Sequence, residues 1–402
     1  MEKVVVIGGG ASGMMAALTA AESGRQVVLL ERQSRVGRKL AATGNGRCNL
    51  TNINASIENY HGENAEFAAP VLARFTPQNT LDFFHALGLV TVTEYGGRVY
   101  PLSNSANSVV DVLRFALDGA GVDVRCGLSA RSILRAGSGY EVKTDEESIH
   151  ADYLIVACGG AAGTKLGGVM DGYELLKPLG HKRTGLYPAL VQLITDADYP
   201  RALKGVRADA GIALVAGEET LRESAGEVQF TETGVSGPAV FDISRTASVG
   251  GEGLKVKLDF MREYSFESVC EMLDKRVTRF PRLAAAELFT GAVHNRLGRM
   301  LIKYAGIDAA KELSGISPAE LDAAAHAAKC FTLRVKGTEG FDSAQVTAGG
   351  IRTAGIDAQT LQSWFMPRLF ICGELLDVDG DCGGYNLQWA WASGYVAGRL
   401  GE

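Results

Sequence analysis

The chain has 402 residues, 46% hydrophobic and 21% charged, a balance that suits a large globular core and excludes disorder. Its net charge of −6, from 40 Lys and Arg against 46 Asp and Glu, gives no drive towards nucleic acid or anionic lipid. Seven cysteines, an odd count with no C-x-x-C pair, exclude a disulfide framework or zinc ribbon and predict the reduced thiols of a cytoplasmic protein.

Residues 3–31 predict strand, turn, helix, strand. KVVVIG is a continuous apolar run of the kind that fills a parallel sheet, ASGMMAALTAAESG has helical spacing up to a C-terminal glycine, and RQVVLLE is a second strand. The chain opens on that strand without a charged leader, and no apolar run reaches the ~18–20 residues of a membrane span, so neither a secretory signal nor a membrane contact is expected. A glycine-rich loop follows at 37–54, then helical patterns around 64–88 and 106–120. Residues 139–160 read as a hairpin and a buried strand ending in a glycine pair.

From Pro188 to about 260 the pattern is short β-like runs and turns, including EVQFTETGVSGPAVFDIS and LKVKLDF. Residues 266–330 are strongly helical, and Ser317-Pro318-Ala319-Glu320 forms a capping box before LDAAAHAAKC. Strand-like, glycine-rich segments then return. This predicts one nucleotide-binding domain made from residues 1–187 and 341–402, a β insertion over 188–265 with 331–340, and a helical piece over 266–330.

Gly8, Gly10 and Gly13 form G-x-G-x-x-G between the first strand and helix. The pattern allows a tight turn, close approach to a pyrophosphate and close helix–strand packing, with the positive helix N-terminus behind it. Glu31, 23 residues after Gly8 at the end of the second strand, suits ribose hydroxyls and disfavours a 2′-phosphate. Three later glycine-bearing segments, ATGNGRCNLTN, VACGGAAGTKLGG and ICGELLDVDGDCGGYNLQWAWASG, favour FAD over NAD, because an extended dinucleotide with a flavin head must be enclosed along its length.

Five ordered motifs, VVVIGGGASGMMAA with Glu31, GRKLAATGNGRCNLTN, EYGGRVYPLSNSANSVVDVL, QFTETGVSGPAVFDIS and CGELLDVDGDCGGYNLQWAWASGYVAG, closely resemble a bacterial family of FAD-binding flavoproteins. That family is described as aminoacetone-oxidase-like or 3-dehydro-bile-acid-reductase-like, and its layout is more distantly similar to the glutathione-reductase and fumarate-reductase flavoproteins. The resemblance implies an α/β fold: a Rossmann-like FAD-binding domain built from both chain ends, an inserted β-barrel-like domain and a small helical domain. It also implies site residues. Gly8, Gly10, Ala11, Ser12 and Gly13 would hold the pyrophosphate, and Glu31 with Arg32 the adenosine ribose. Lys39, Thr43, Gly44, Asn45, Gly46, Arg47 and Cys48 would lie along the flavin side and Val124 by the adenine. Ala157, Gly159 and Gly160 would line the dinucleotide. Gly373, Glu374 and Asp377 would sit by the pyrophosphate and ribitol, and Gly383, Gly384, Asn386 and Leu387 against the flavin ring. There the glycines would admit the backbone, and the N-terminus of the final helix would face the electron-rich edge of the reduced ring.

Arg98, Tyr100 and Ser103, with Tyr385 beside the flavin helix, are the candidates for the wall of a substrate cleft between the FAD domain and the insertion. Arg98 would bind an anionic or carbonyl oxygen and Tyr100 would deliver a proton. His181 follows a glycine and is expected at a surface or behind the site, and FTETGVSGPAV is either a loop over the cleft or a barrel corner. There is no second G-x-G-x-x-G, so a separate nicotinamide domain is not expected; either NAD(P)H binds transiently at the flavin face as the electron donor, or electrons come from elsewhere. No histidine stands in the short motif that tethers FAD covalently in fumarate-reductase relatives, so FAD is expected to be non-covalent. The expected reaction is reduction of a C=C bond conjugated to a carbonyl in a small molecule. An amine or aminoketone oxidase using O2 is the alternative enzyme. An RNA- or protein-binding flavoprotein, as in tRNA modification, and a redox-sensing module without turnover are the alternatives of other classes.

Overall fold

The computed structural model describes residues 1–402 and divides into two compact units, Met1–Tyr187 with Ala344–Glu402, and Pro188–Ser343. The first is built on a five-stranded parallel sheet. Its strands are β1 (Lys3–Ile7), β2 (Gln26–Glu31), β6 (Asp123–Cys126), β7 (Tyr153–Val156) and β8 (Leu369–Ile371), in the order β8-β7-β1-β2-β6. Every neighbouring pair is parallel, with Val4 beside Val27 and Tyr153, and Leu154 beside Leu369. The run Val4–Val6 is fully buried, as a strand covered on both faces requires. A second small sheet orders β3 (Thr51–Asn52), β5 (Arg98–Pro101) and β4 (Thr91–Thr93) as β3-β5-β4.

Two apolar helices share the core of this unit. The first helix, Ala11–Glu22, and the C-terminal helix, Tyr385–Gly398, are apolar on nearly every face and pack against each other. Gly394 and Gly398, one helical turn apart, set their separation. A Cβ on Gly394 would stand 2.4 Å from the Ser12 carbonyl oxygen, and one on Gly398 would stand 2.6 Å from that of Ala16. The two backbones touch because neither glycine has a side chain.

In the second unit, strands Leu193–Thr195, Gly234–Ser236, Glu219–Phe230, Arg207–Ala216, Leu254–Asp259 and Phe331–Thr338 close into a barrel in that order. Its core includes Leu214, Val228, Phe230, Val256 and Phe331. FTETGVSGPAV is thereby a barrel corner: it joins the end of Glu219–Phe230 to its antiparallel partner Gly234–Ser236. The β-like reading of PAVFDIS is corrected, since Pro238–Gly250 is a helix. Pro238 starts it directly after Gly237 (φ 111°), and Val240, Ile243, Ser244 and Ala247 form its buried stripe. The β-branched and aromatic residues there imitated a strand, while the spacing is helical. Residues 266–330 hold the helices Phe266–Arg279, Asn295–Tyr304 and Pro318–Lys329. The last opens on the expected box, with Glu320 Oε2 accepting from Ser317 N (2.8 Å) and Ser317 Oγ accepting from Glu320 N (3.3 Å). All seven cysteines are free, and no helix is long and apolar enough to cross a membrane.

Gly398→Val forces a branched side chain into the Ala16 carbonyl and is expected to cost about 1–3 kcal/mol, as overpacking of a close contact does. Urea unfolding of the variant measures this.

Candidate functional site

The turn between β1 and the first helix uses its glycines in two ways. A Cβ on Gly13 would stand 1.8 Å from the Gly8 carbonyl oxygen, and one on Gly8 would stand 2.4 Å from that of Ala157, so these two are demanded by the protein's own packing. A Cβ on Gly10 would meet no protein atom within 4 Å, and Gly10 has an ordinary φ of −81°. Gly159, φ 73°, also faces open space. The space at Gly10 is not claimed by the fold. It lies before the first turn of a helix whose leading amides, including those of Ala11 and Ser12, have no helical acceptor.

Around this turn, the carboxylate of Glu31 is oriented by two backbone amides, from Gly9 (2.8 Å) and Gln33 (2.7 Å). Arg32 donates to Gly167 O (3.0 Å). Val124 pairs with Leu29 from the neighbouring strand and is 37% exposed. Ala157 follows β7 and donates to Ile7 O (2.8 Å), while Gly160 lies against Thr347. The C-terminal part of the chain reaches the same place. A Cβ on Gly373 would stand 2.3 Å from Ser12 Oγ, and Glu374 pairs with Lys39 (2.7 Å) and accepts from Thr347 N (2.8 Å).

The loop after β2 supplies a second concavity. Gly44, Asn45, Gly46 and Cys48 have φ values of 56°, 56°, 83° and 60°, a left-handed series that includes two residues with side chains. Such a series turns successive amides to one side, and strain of this kind persists where surrounding contacts fix it. Here Cys48 N donates to Thr43 O (3.0 Å). The Cys48 side chain is fully buried, and burial pushes its thiol up to about 12, so only its backbone can face a ligand. Beside this loop, Asn52 Nδ2 donates to Gly383 O (3.0 Å), and Gly384 (φ 102°) opens the C-terminal helix. The conformational freedom of Gly384 serves the protein first, since a Cβ there would stand 2.6 Å from Thr51 O. Gln388 is the first helical amide bonded back, to Gly384 O (3.0 Å), which leaves the amides of Asn386 and Leu387 ahead of the helical ladder.

Three side chains from the sequence reading are used internally. Asn386 accepts from Gly380 N (2.8 Å) and donates to Gly380 O (2.7 Å), and Asp377 is buried and accepts from Glu63 N (3.0 Å). Cys48 is the third. Sequence reasoning missed Gln388, which is fully buried. It accepts from Thr51 Oγ1 (2.6 Å) and Thr80 Oγ1 (2.7 Å) and donates to Phe75 O (2.8 Å). A glutamine amid an apolar helix was the available signal. Tyr60 and His61 were also missed: Tyr60 donates to Tyr385 O (3.1 Å), and His61 pairs with Asp381 (2.7 Å).

Arg98, Tyr100, Arg47, Gly383 and Tyr385 gather in one neighbourhood. Gly383 borders both Arg98 and the Tyr385 ring. The Arg47 guanidinium lies over the Tyr100 ring (4.1 Å) and is held by Glu94 and Asn104. Burial raises the Tyr100 phenol above its ordinary value, against the opposing pull of Arg98 and Arg47, so it is protonated at neutral pH. Ser103 is exposed and bonds to Ser108 (2.8 Å). His181 is not at a surface: it is 3% exposed, bonds to Ser363 (2.9 Å), packs on Phe365, and is lowered to about 4 by burial. An imidazole that stays neutral in this packing carries no imidazolium proton to give at neutral pH.

A long dinucleotide with a flavin fits these residues. Gly10, Ala11 and Ser12 would hold its pyrophosphate, Glu31 a ribose, and the 44–48 backbone with the N-terminus of the C-terminal helix would hold the ring end. The chain is an FAD-dependent oxidoreductase. It belongs to the HI0933-like family, whose Rossmann-domain model matches residues 2–400. It is 41% identical to a 3-dehydro-bile acid delta(4,6)-reductase from Clostridium scindens, over 99% of this chain and 98% of that one. It is 28% identical to the ribosomal RNA dihydrouridine synthase of Escherichia coli, over 98% and 96%. Among solved structures it is similar to a 3-ketosteroid delta1-dehydrogenase from Sterolibacterium denitrificans, with 14% identity, 99% coverage of each chain and a TM-score of 0.49.

Gly10→Ala is expected to keep the thermal stability of the apoprotein while reducing FAD retention at least tenfold. Gly13→Ala is expected to lose both, as thermal melts and flavin absorbance after gel filtration will show. His181 gives a pH signature. Between about 6.5 and 4 the unfolded imidazole binds a proton that the folded one does not, so stability falls as pH drops through that window. The fall is a few kcal/mol at most, and His181→Gln is expected to flatten it in urea titrations at stepped pH.

Proposed function

We propose that this protein reduces a C=C bond conjugated to a carbonyl in a small apolar carbonyl compound of the dehydro-steroid or bile-acid kind, with NAD(P)H as a transient donor. The observation that carries the reading is the 41% identity, over nearly the whole chain, to a reductase acting on a 3-dehydro-bile acid. The name of the second relative supports the reaction type, since dihydrouridine is uridine with hydrogen added across a C=C bond conjugated to a carbonyl.

Bound FAD supplies hydride-transfer chemistry, and the protein supplies orientation and electrostatics. Arg98 binds the carbonyl oxygen, where negative charge grows as the conjugated bond accepts hydride at its far carbon. Tyr100, held protonated by burial, delivers the proton to the carbon next to the carbonyl. Tyr385 flanks the same space, and the positive N-terminus of the C-terminal helix would face the ring end of the bound cofactor. With one G-x-G-x-x-G in the chain, the nicotinamide has no domain of its own and meets the same face as the substrate.

The ribosomal RNA relatives favour a second reading, reduction of a uracil ring in RNA. The net charge of −6 weighs against it. Anaerobic titration with NADH and NADPH, then mixing with an enone, with uridine-containing RNA or with air, separates the readings. Reoxidation by the enone alone is expected. Rapid H2O2 formation with amines would establish the oxidase instead. Tyr100→Phe is expected to lower kcat on the order of 10²-fold with the flavin spectrum unchanged. Rapid-reaction reoxidation by enone measures it, and an unaltered rate removes Tyr100 from the chemistry.

A further inference from the structure

The proposed proton donor lies on a sheet face that continues outward as uncovered hydrocarbon. In the β4–β5 pair, Val92 stands opposite Tyr100, and one step further Leu102 N donates to Val90 O (2.8 Å). Opposed residues of an antiparallel pair share a face, as do residues two apart along a strand. Arg98, Tyr100 and Leu102 therefore share a face with Val92 and Val90. The reverse face turns inward, with Val99 fully buried. On the shared face Tyr100 is itself buried at 8%, and the side chains open only beyond it: Val90 is 61% exposed, Val92 38% and Leu102 62%.

We propose that Val90, Val92 and Leu102 seat the hydrocarbon body of the substrate, a flat fused-ring carbonyl compound. Its carbonyl lies at Arg98 and Tyr100 and its rings extend over the three apolar residues. The proposal rests on the enone-reductase reading and adds to it the residues that seat the substrate's body and the direction in which it lies. The order along the face is guanidinium, phenol, hydrocarbon. From Arg98 to Leu102 it spans four residue steps, about 14 Å at ~3.4 Å each, room for several fused rings. The Arg47 guanidinium lies over the Tyr100 ring and is paired with Glu94, so its charge is countered beside the apolar residues. Contiguous exposed hydrocarbon beside polar groups marks a ligand surface, and its continuity with Arg98 and Tyr100 assigns it to the molecule that reacts there. A polynucleotide would need positive charge at the same place.

The test uses FAD-loaded protein reduced anaerobically with dithionite, so that no natural donor is assumed. Reoxidation by androst-4-ene-3,17-dione is compared with reoxidation by 2-cyclohexenone, which has the same conjugated carbonyl and almost no body. In the double variant Val92→Ser, Leu102→Ser, the ratio of the two second-order rate constants is expected to fall roughly tenfold or more in favour of cyclohexenone. The dissociation constant of androst-4-ene-3,17-dione for the oxidised protein, read from flavin absorbance, is expected to rise by a similar factor. An unchanged ratio and dissociation constant overturn the seat while leaving the reductase reading intact. Failure of both enones to reoxidise the wild-type flavin overturns the reading and the seat with it. Both positions are exposed, and a thermal melt checks that the variant is folded.

Discussion

Everything in the nucleotide-binding unit depends on a contact between two backbones. The first and last helices of the chain meet where Gly394 and Gly398 press on the carbonyls of Ser12 and Ala16. The first helix begins at the phosphate turn, and the last begins at the proposed flavin end. Bringing their backbones together fixes the distance between the two ends of the site. Gly373 adds a close approach to the Ser12 side chain, with its amide donating to Ser393 and its carbonyl accepting from Trp389. Two backbone contacts and one against the Ser12 side chain make one structure of segments some 360 residues apart.

A single residue type meets two different demands here. At Gly13, Gly384, Gly394 and Gly398 a methyl group would strike the protein, so glycine is a requirement of the fold. At Gly10 the space is open, and glycine leaves room for something the chain itself does not contain. A motif of three glycines cannot make this distinction, because it records the absence of side chains and not what would have met them. Similar logic applies to the carboxylate of Glu31. Its two amide donors give it a fixed direction before any ribose is present.

Much of this was legible in the sequence where the physics is local. The continuous apolar run of β1, the glycine turn, the helical spacing behind it and the Ser317–Glu320 box each depend on residues close in the chain, and each stands as read. The helix Pro238–Gly250 was misread because its Val, Phe and Ile residues suit a strand as well, and only the spacing of Val240, Ile243 and Ala247 decides. Distant partners were not legible. Nothing near Asn386 says that its side chain closes on Gly380, nothing near Gln388 points to Thr51 and Thr80, and nothing near Tyr100 announces Arg47. His181, expected at a surface or behind the site, is packed inside against Phe365. These assignments need the fold, because each is settled by a group brought in from elsewhere.

The joining of the two chain ends has a consequence for biosynthesis. Synthesis makes the turn at Gly8–Gly13 some 360 residues before the segment from Gly373 to Gly398. For most of translation the nascent polypeptide holds half a nucleotide site and an unpaired apolar helix. Cofactor loading must then wait until the segment from Gly373 to Gly398 has been made, and until that moment the apolar first helix lacks the partner face it packs against.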